Sequence, residues 1–308
     1  EFYVKMSILR VVAITGCDSG LGWAIAARSA REGLITVAGM FNGSDTPAAR
    51  ALAKLNAYPC HLDVTNPSSV TSFGDCIRKL LKENPNYRLY AVVNNAGVMT
   101  IGDFEWNMHS IYENLINVNL LGTLRVTSDL LPNLRRSAKE GNLRPRVINV
   151  VSHCGLVPLP GFAAYGASKA AVLSMTKSLY MEQQPYGVSS IAFIPGGFVN
   201  QSNIMFQQSI NGQKMLQNLD EEQTLVYGKR LSALIKYLNV GPNKIPFDAV
   251  TDKTIIETFA KALLDDSPKQ CYKVEPWRYK LYHTMFKLNL PERIHNWLVR
   301  KFLQFPQE

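Results

Sequence analysis

The stretch that decides the fold runs from residue 10 to residue 22 and reads RVVAITGCDSGLG. Residues 10–15 are mostly apolar, as is typical of a buried strand, and a glycine-rich turn follows at Gly16–Gly22. Residues 21–32 have helical composition and stop at Gly33, a residue suited to ending a helix. Glycines between a strand and a helix let the backbone approach a pyrophosphate, whose charge the helix N-terminus favours. The stretch predicts a dinucleotide-binding unit, although its spacing taken alone also fits a plain glycine turn.

Short apolar runs and helical stretches alternate over the rest of the first 200 residues. Continuous apolar strands separated by helices indicate a parallel sheet that is covered on both faces. The further predicted strands are 34–41, 57–63, 89–93, 146–151, 189–194 and 270–274, and the further predicted helices are 70–81, 112–134, 164–183 and 252–264. The pattern predicts an α/β fold of the doubly wound Rossmann type. Residues 1–274 would form one domain, and residues 275–308 a C-terminal helical extension.

Composition excludes several classes of protein. The 308 residues are 46% hydrophobic and 19% charged, so a disordered chain is excluded. No run of 18 apolar residues occurs, so the sequence predicts no membrane-spanning helix. The five cysteines are scattered without metal-ligand spacing, which predicts neither a metal site nor a disulfide framework, and Cys17 and Cys154 are interpreted as small packing residues. We expect a reducing, intracellular location, with the endoplasmic reticulum or mitochondrial membrane as candidates.

The C-terminal tail is basic and aromatic. From Ser267 to the end the chain has eight Lys or Arg and three Asp or Glu, which gives +5 of a net charge of +9. Such a tail can lie in a membrane interface, and the alternative is a helix that covers a substrate pocket with its charges in solvent. Both interpretations of residues 275–305 stay open, and they are compatible. Nucleic-acid binding is not predicted, because no recognised motif accompanies the basic residues.

A second signal is the sequence Tyr165-Gly-Ala-Ser-Lys169, which lies in a predicted helix. Residues four apart share a helix face, and a nearby lysine can lower the pKa of a phenol. Ser152 lies 13 residues before Tyr165, just past the end of a predicted strand. The neighbouring His153 is not paired with Ser152 in our interpretation, because adjacent residues on an extended strand end point in opposite directions. Taken alone, this Tyr-Lys spacing is also common on exposed helices.

Together these signals resemble the short-chain dehydrogenase/reductase family. The resemblance rests on the order and spacing of motifs over the first 200 residues: the glycine turn at 15–22, Leu62-Asp63-Val64, Asn94-Asn95-Ala96-Gly97, Asn119, Ser152, Tyr165, Lys169 and Pro195-Gly196. The stretches TGCDSGLG and NVNLLGTLRVTSDLLPNLRR and the aromatic tail look like the retinol, 17β-hydroxysteroid and 3-hydroxybutyrate dehydrogenase branch. The resemblance implies an NAD(P)-dependent oxidoreductase.

The resemblance also implies roles for single residues. Tyr165 would exchange a proton with the substrate oxygen, Lys169 would bind the nicotinamide ribose, and Ser152 would orient the substrate oxygen. Asn119 would anchor a water that relays protons to Lys169. The implied cofactor contacts are Thr15, Gly16, Asp18, Ser19, Gly20, Leu21, Gly22, Asp63, Val64, Asn95, Ala96, Gly97, Tyr165, Lys169, Pro195, Gly196 and Asn200. Asn200 stands where the family often has a threonine.

The sequence favours NAD over NADP. Folds of this type place an acid after the second strand for the ribose of NAD, or a base for the phosphate of NADP. The matching positions are Gly39 and Met40, which are neither, and Asn42, Ser44 or Asp45 could serve the ribose instead. Asp18 lies in the glycine turn, where a carboxylate would repel the extra phosphate. NAD is therefore the predicted cofactor, and NADP stays the alternative.

The substrate is predicted to be lipophilic. The resemblance assigns substrate contacts to residues 198–238, which are rich in Phe, Met, Leu and Ile and contain no arginine before Arg230. A steroid or retinoid alcohol or ketone is therefore favoured over a small acid such as 3-hydroxybutyrate. A non-catalytic dinucleotide sensor is the remaining alternative. The family's dimer interface matches residues 112–134 and 164–183, so a homodimer is expected.

Overall fold

Seven parallel strands form one sheet at the centre of the molecule. The computed structural model describes residues 8–141, 143–197, 201–238 and 244–306. The strand order is β3-β2-β1-β4-β5-β6-β7, and every neighbouring pair is parallel. The strands are β1 Leu9–Thr15, β2 Ile35–Met40, β3 Tyr58–His61, β4 Tyr87–Asn94, β5 Arg146–Val150, β6 Ser189–Ile194 and β7 Cys271–Lys273. The order reverses between β1 and β4, where such sheets hold their ligands.

Helices cover both faces of the sheet. They are α1 Gly20–Arg31, α2 Pro47–Ala53, α3 Pro67–Glu83, α4 His109–Ile116, α5 Thr123–Gly141, α6 Ala163–Gln183, α7 Phe206–Asn218, α8 Glu221–Tyr237, α9 Lys253–Leu264, α10 Trp277–Met285 and α11 Glu292–Leu303. Successive residues of β1 point to opposite faces, so Val12 packs with Ile25 of α1 and Phe259 of α9, whereas Val11 packs with Phe73 of α3. The predicted doubly wound Rossmann-type fold is confirmed.

One predicted helix is divided in the structure. The sequence predicts a single helix over 112–134, but α4 ends at Ile116 and a π-helical segment, Asn117–Gly122, precedes α5. A π-helical turn adds a residue to the helix and redirects the side chains around it, and such turns are frequent at functional sites. The segment contains Asn119, one of the predicted site residues.

The C-terminal residues form two helices that fold back onto the domain. Arg278 of α10 donates to the carbonyl oxygens of Lys301 at 3.2 Å and Phe302 at 2.9 Å, which ties α10 to α11. Phe305, just past α11, stacks on Phe162 at a ring distance of 5.9 Å. The predicted C-terminal helical extension is thus present. Among the described residues, none of the helices combines the length and apolar character needed to cross a bilayer.

Candidate active site

Hydrogen bonds join the end of β1 to the loop that follows β4. The Thr15 side-chain oxygen accepts from the backbone N–H of Asn95 at 3.1 Å and of Ala96 at 2.9 Å. The Asn95 side chain in turn donates to the Thr15 carbonyl at 3.0 Å. Because β1 and β4 are neighbours at the reversal of strand order, these bonds fix the floor of the predicted cofactor groove.

The three glycines of the turn stand where the surrounding atoms leave little or no room for a Cβ. Gly16 has φ +70°, and a Cβ there would lie 2.8 Å from the Ala96 Cα. A Cβ at Gly22 would collide with the Gly16 carbonyl and the Asn95 amide. Gly20 has φ +60°, and a Cβ there would lie 3.0 Å from the Ser202 hydroxyl oxygen. The chain after β6 therefore lies close against the turn.

The N-terminus of α1 offers backbone N–H groups beyond Gly20, whose own N–H donates to the Phe247 carbonyl at 2.9 Å. Its N-cap Ser19 makes no side-chain hydrogen bond to the helix, and no acidic residue occupies the first turn. The first N–H groups of a helix have no partner within the helix, and the helix dipole is positive there. Leu21 is buried and anchors this turn in the core. These features fit a pyrophosphate.

Asp18 reaches the end of β2, which the sequence analysis did not predict. Its carboxylate accepts from the backbone N–H groups of Phe41 and Asn42, both at 2.8 Å. Gly39 and Met40, which the pattern matches to the ribose, are packed inside the protein. Met40 is fully buried, and a Cβ at Gly39 would lie 2.7 Å from Leu62. An acidic side chain therefore stands at the end of the second strand, but it comes from the glycine turn after β1 and not from the residues that follow β2 in the chain.

The predicted adenine residues lie after β3. One Asp63 oxygen accepts from the backbone N–H and the hydroxyl of Thr65, at 2.8 and 2.7 Å, and the Asp63 backbone N–H donates to Ser69 at 2.9 Å. Val64 is buried and packs on Gly122 of the π-helical segment, where a Cβ would come within 2.7 Å of it. A small cavity beside Val64 is lined by Thr15, Val64, Asn94, Ala96, Val118, Gly122 and Thr123.

Asn119 is 1% exposed and makes three hydrogen bonds. Its oxygen accepts from the backbone N–H of Val98 at 2.8 Å, and its nitrogen donates to the Val98 carbonyl and the Ser168 hydroxyl, both at 3.0 Å. A Cβ at Gly97 would lie 3.3 Å from the Asn119 oxygen and 3.4 Å from the Lys169 ammonium. The π-helical segment, the loop after β4 and α6 therefore converge at Gly97.

Tyr165 and Lys169 lie one turn apart on α6 and are both buried. The Lys169 ammonium donates to the Val150 carbonyl at the end of β5 at 3.0 Å and lies 6.0 Å from the centre of the Tyr165 ring. Ser152 follows the same strand, and its hydroxyl accepts from the Cys154 backbone N–H at 3.2 Å. Asn119 of the π-helical segment, Ser152 after β5, and Tyr165 and Lys169 of α6 are thus brought to one place.

The pKa values in this group depend mainly on burial. Burial raises the pKa of Tyr165, the Cys154 thiol raises it further, and a hydrogen bond with Ser152 lowers it. Burial lowers the pKa of Lys169 to about 8. The sequence analysis expected the lysine to lower the pKa of the phenol, but the protein groups present raise it. A lowered pKa would need the positive charge of an oxidised nicotinamide.

Cys154 is a neighbour of the site that the sequence analysis assigned to packing. Burial raises the pKa of its thiol to about 11, and Ser152 and Lys169 both act on it in the opposite sense. The one sequence feature that could have placed Cys154 in the site is its position two residues after Ser152. Cys17, by contrast, is a buried packing residue whose thiol donates to the Ile14 carbonyl at 3.2 Å.

Tyr165 also lines a pocket. Its lining comes from the loop after β4, from α4 and from the start of α6: Thr100, Gly102, Phe104, Asn107, Tyr112, Leu115, Gly161, Phe162, Ala163, Ala164 and Tyr165. Met205, Met215 and Leu231 of the segment after β6 pack into the same apolar cluster as Tyr165. Parts of residues 201–238 thus pack near Tyr165, whereas Leu225 of α8 is exposed, and residues 198–200 are outside the described residues.

The turn after β6 is also tightly packed. Pro195 is buried, and Gly196 has φ +76° with a Cβ position only 2.6 Å from the Val274 carbonyl. Asn200, the predicted carboxamide contact, is outside the described residues. Among those that are described, no group of three or more His, Cys, Asp or Glu side chains could hold a metal ion.

The described residues fit a nicotinamide dinucleotide. The bare backbone at the glycines of the turn and the uncapped helix N-terminus suit the pyrophosphate, and Asp18 and Asp63 stand at the two strand ends where the adenosine half would lie. Lys169 and Asn119 lie beside Tyr165, where the nicotinamide half of the dinucleotide would lie. The fold and the site define the class of dinucleotide-binding Rossmann proteins with a tyrosine-lysine pair.

Comparison with known proteins gives the family. The sequence profile described as short chain dehydrogenase matches residues 10–210, which is more than half of the chain. The chain belongs to the short-chain dehydrogenase family. Within that family the predicted nicotinamide dinucleotide cofactor is confirmed as the NAD(P) class.

Two relatives lie in the branch that the motifs predict. The chain is 30% identical over 227 residues to the mitochondrial D-beta-hydroxybutyrate dehydrogenase of Rattus norvegicus, covering 72% of this chain and 64% of that protein. It is 35% identical over 205 residues to the estradiol 17-beta-dehydrogenase 2 of Mus musculus, covering 65% of this chain and 51% of that protein. The chain thus spans between half and two thirds of the length of these relatives.

The fold has a counterpart of the same length among solved structures. A short-chain dehydrogenase from Streptomyces avermitilis superposes with a TM-score of 0.68 at 21% identity, over 97% of this chain and 100% of that one. At this identity the likeness concerns the fold alone.

Proposed function

We propose that this protein transfers a hydride between a nicotinamide cofactor and a lipophilic secondary or allylic alcohol, or the corresponding ketone. The observation that carries the proposal is the convergence of Asn119, Ser152, Tyr165 and Lys169 at the end of β5 and the start of α6. A dinucleotide sensor has no chemical need for all four groups, so the non-catalytic alternative is disfavoured.

The proposed chemistry divides between cofactor and protein. The bound nicotinamide supplies or accepts the hydride, and its ring is cationic when oxidised. Tyr165 moves a proton to or from the substrate oxygen, and positioned proton transfer of this kind contributes about 10²–10⁴-fold to a rate. Ser152 donates to the same oxygen, and Lys169 holds the ribose. The raised pKa of Tyr165 keeps the phenol protonated, as reduction of a ketone requires.

The pocket beside Tyr165 supports a lipophilic substrate. Within the described part of the chain, no lysine or arginine lines it. Arg230 is the nearest candidate on α8, but it pairs with Asp103 at 3.0 Å and lies over the Trp106 ring at 5.6 Å. A small carboxylate would therefore lack a cationic partner there. This observation favours a steroid or retinoid over 3-hydroxybutyrate.

The test is a substrate panel with purified protein. Turnover with NAD or NADH is measured on steroid and retinoid alcohols and ketones and on 3-hydroxybutyrate. Tyr165→Phe should lose about 10²–10⁴-fold in turnover while NADH binding by fluorescence is unchanged, because the hydroxyl acts on the substrate. Tyr186→Phe, at a half-exposed site, is the matched control. Turnover of 3-hydroxybutyrate alone would establish the alternative substrate, and NADH binding without any turnover would favour the sensor.

We propose NAD rather than NADP as the cofactor. The Asp18 carboxylate, held by the Phe41 and Asn42 amides, stands where the 2′-phosphate of NADP would lie and would repel it. Asp18→Ser keeps a hydrogen-bond acceptor and removes the charge, so it should raise kcat/KM for NADPH relative to NADH. Asp75→Ser, at an exposed carboxylate on α3, is the control. A wild-type enzyme that prefers NADPH would contradict this assignment.

We further propose that the extension of residues 275–305 combines the two roles predicted for it. One side packs over the pocket through Phe305 on Phe162. The other side exposes large apolar side chains, with Trp277 77% and Trp297 56% exposed, together with Leu281, Leu288 and Ile294. The basic side chains around them suit anionic lipid headgroups, each being worth about 1 kcal/mol near the surface.

The lipid role is tested by sedimentation with anionic liposomes at low salt. A fourfold glutamine variant should bind less, because it removes the cations at Lys280, Lys287, Arg300 and Lys301. The matched control places the same change at exposed basic residues of the main domain, Lys54, Lys82, Arg136 and Lys139. A wild-type protein that stays in the supernatant would leave the extension as a pocket cover only.

We also propose a homodimer and a location at the endoplasmic reticulum or mitochondrial membrane. Three exposed residues lie on the helices that match the family's dimer interface: Leu121 in the π-helical segment, Leu124 on α5 and Met181 on α6. Sedimentation velocity of wild type and Leu124→Asp tests the dimer. Fractionation of cells that express the protein tests the location.

A further inference from the structure

A cluster of aromatic rings joins the C-terminal extension to the turn that carries Ser152. His153, the residue after Ser152, lies 4.9 Å from the Tyr279 ring and 4.6 Å from the His283 ring of α10. Phe302 of α11 packs edge-on against Tyr279 at 5.1 Å and His283 at 5.8 Å. This histidine-centred cluster is the contact between the extension and the catalytic turn.

The same helix touches a second turn of the site. The Tyr279 hydroxyl oxygen lies 3.0 Å from the position that a Cβ would take at Gly197. Gly197 follows the Pro195-Gly196 turn after β6. The extension is therefore fastened against both turns that flank Tyr165 and Lys169, and its attachment affects how they are held.

The two imidazoles are buried and incompletely hydrogen-bonded. His153 and His283 are each 5% exposed. His153 Nε2 lies 3.4 Å from the Val274 carbonyl, whereas His153 Nδ1 and His283 Nε2 have no hydrogen-bond partner in the structure. Two adjacent buried rings without a carboxylate partner can pack only while both are neutral, because burying a charge without a partner is strongly unfavourable.

The charged side chains around the two rings do not offset the positive charge that protonation of either imidazole would bury. Glu275 favours protonation of both rings, but Lys273 opposes it at both and Lys287 opposes it at His283. The other titratable groups packed on or next to the cluster are Cys154 of the Ser152 turn, Tyr279 and Arg278 of α10, and His295 of α11 beyond Phe286. None of these is a second carboxylate.

We propose that His153 and His283 form an acid-sensitive clamp, in which protonation of the pair releases the C-terminal extension from the Ser152 and Gly197 turns. This inference rests on the proposed function at one point, because it takes the pocket under the extension to be the substrate pocket. His283 is a positioning residue here: it acts on the reaction through His153 and the turn of Ser152.

The direction of the pKa shifts agrees with the clamp. Burial and the neighbouring His153 together lower the pKa of His283 to about 4, and burial also lowers the pKa of His153. A histidine whose pKa is lower in the closed state than in the released state stabilises closure above the released value, near 6.5, and less as pH falls toward 4. His283 alone should raise the opening equilibrium about tenfold between pH 7.5 and pH 5.5.

Hydrogen exchange of the full-length protein tests the clamp without any substrate. After correction for the intrinsic rate at each pH, exchange of peptides within 275–306 and 152–157 should rise about tenfold from pH 7.5 to pH 5.5. His283→Phe keeps the aromatic packing and leaves His153 as the one titrating ring of the pair, so exchange of its extension should rise clearly less than in wild type over the same pH range. His61→Gln, at an exposed site, should behave as wild type.

A second measurement does not depend on any variant folding. Histidine-labelled wild type is titrated by NMR, and the clamp requires two imidazoles that stay neutral well below pH 6.5 until the extension opens. The clamp is overturned if wild-type exchange is independent of pH, if His283→Phe opens on acidification as wild type does, or if both buried histidines titrate near 6.5. None of these readouts requires turnover, so failure of the clamp and failure of the proposed enzyme activity are distinguishable.

Discussion

Replacing Asn119 by alanine should lower both the stability and the activity of the protein. The side chain is 1% exposed and makes three hydrogen bonds, two to the backbone of Val98 and one to the Ser168 hydroxyl. Each is worth about 1 kcal/mol net, and the buried Val98 groups left unpaired add to the loss. We expect the free energy of unfolding to fall by about 2–4 kcal/mol.

Activity should fall for a separate reason. Asn119 lies beside Gly97 and the Lys169 ammonium, where a proton relay from Tyr165 would pass. Asn119 would position the relay rather than carry the proton itself, and positioned proton transfer contributes about 10²–10⁴-fold to a rate, so turnover at pH 7 should fall by about 10²-fold even where the variant is fully folded.

Urea unfolding and steady-state turnover measure the two effects. Asn114→Ala, at an exposed position on α4, is the matched control and should change the unfolding free energy by less than about 0.5 kcal/mol. A double-mutant cycle with Ser168→Ala isolates the bond between the two side chains. An Asn119→Ala variant within about 0.5 kcal/mol of wild type would refute the structural role, and one with wild-type turnover would refute the relay.

Three further predictions concern the groove and the lysine. Gly22→Ala should abolish cofactor binding in a fluorescence titration, because its Cβ would collide with backbone, whereas Gly228→Ala on α8, which meets only one methyl group at 3.6 Å, should bind normally. Thr15→Val should destabilise the fold by about 2 kcal/mol, since two backbone amides lose their acceptor, and Thr15→Ser should restore it in the same denaturation assay. The pKa of Lys169 near 8 lies below its value of about 10.5 in an unfolded chain, so the unfolded state binds more protons between these values. The free energy of unfolding should therefore rise with pH from 8 to 10.5, by about 3 kcal/mol in total, and Lys169→Met should remove that slope.

The sequence by itself predicted the parts of the site that depend on local pattern. Continuous apolar runs such as residues 10–15 and 189–194 predicted strands that are buried on both faces, and the glycines at 16, 20 and 22 predicted a turn where no side chain fits. The Tyr165–Lys169 spacing predicted one helix face. These predictions hold because strand burial, turn conformation and helix spacing are set by residues close together in the chain.

Other features depended on contacts that the sequence does not contain. Asp18 bonds to residues 41 and 42 because β1 and β2 are neighbours in the sheet, and Met40, one of the two positions that the pattern matches to the ribose, is buried by the same packing. The π-helical turn at Asn119 could not be predicted from a helical pattern, because its extra residue is stabilised by bonds to Val98 and Ser168.

The histidine-centred cluster shows the same limit at the other end of the chain. His153 and His283 are separated by 130 positions, and each looks ordinary in its own stretch of sequence. They meet because β6 lies between β5 and β7 in the sheet, so that the turn after β5 and the helix after β7 come to the same edge. The sequence thus determined which elements form and where glycine, tyrosine and lysine stand within them. Only the tertiary structure decided which distant side chains become neighbours, because strand order and helix packing arise from burial of the whole core rather than from any local pattern.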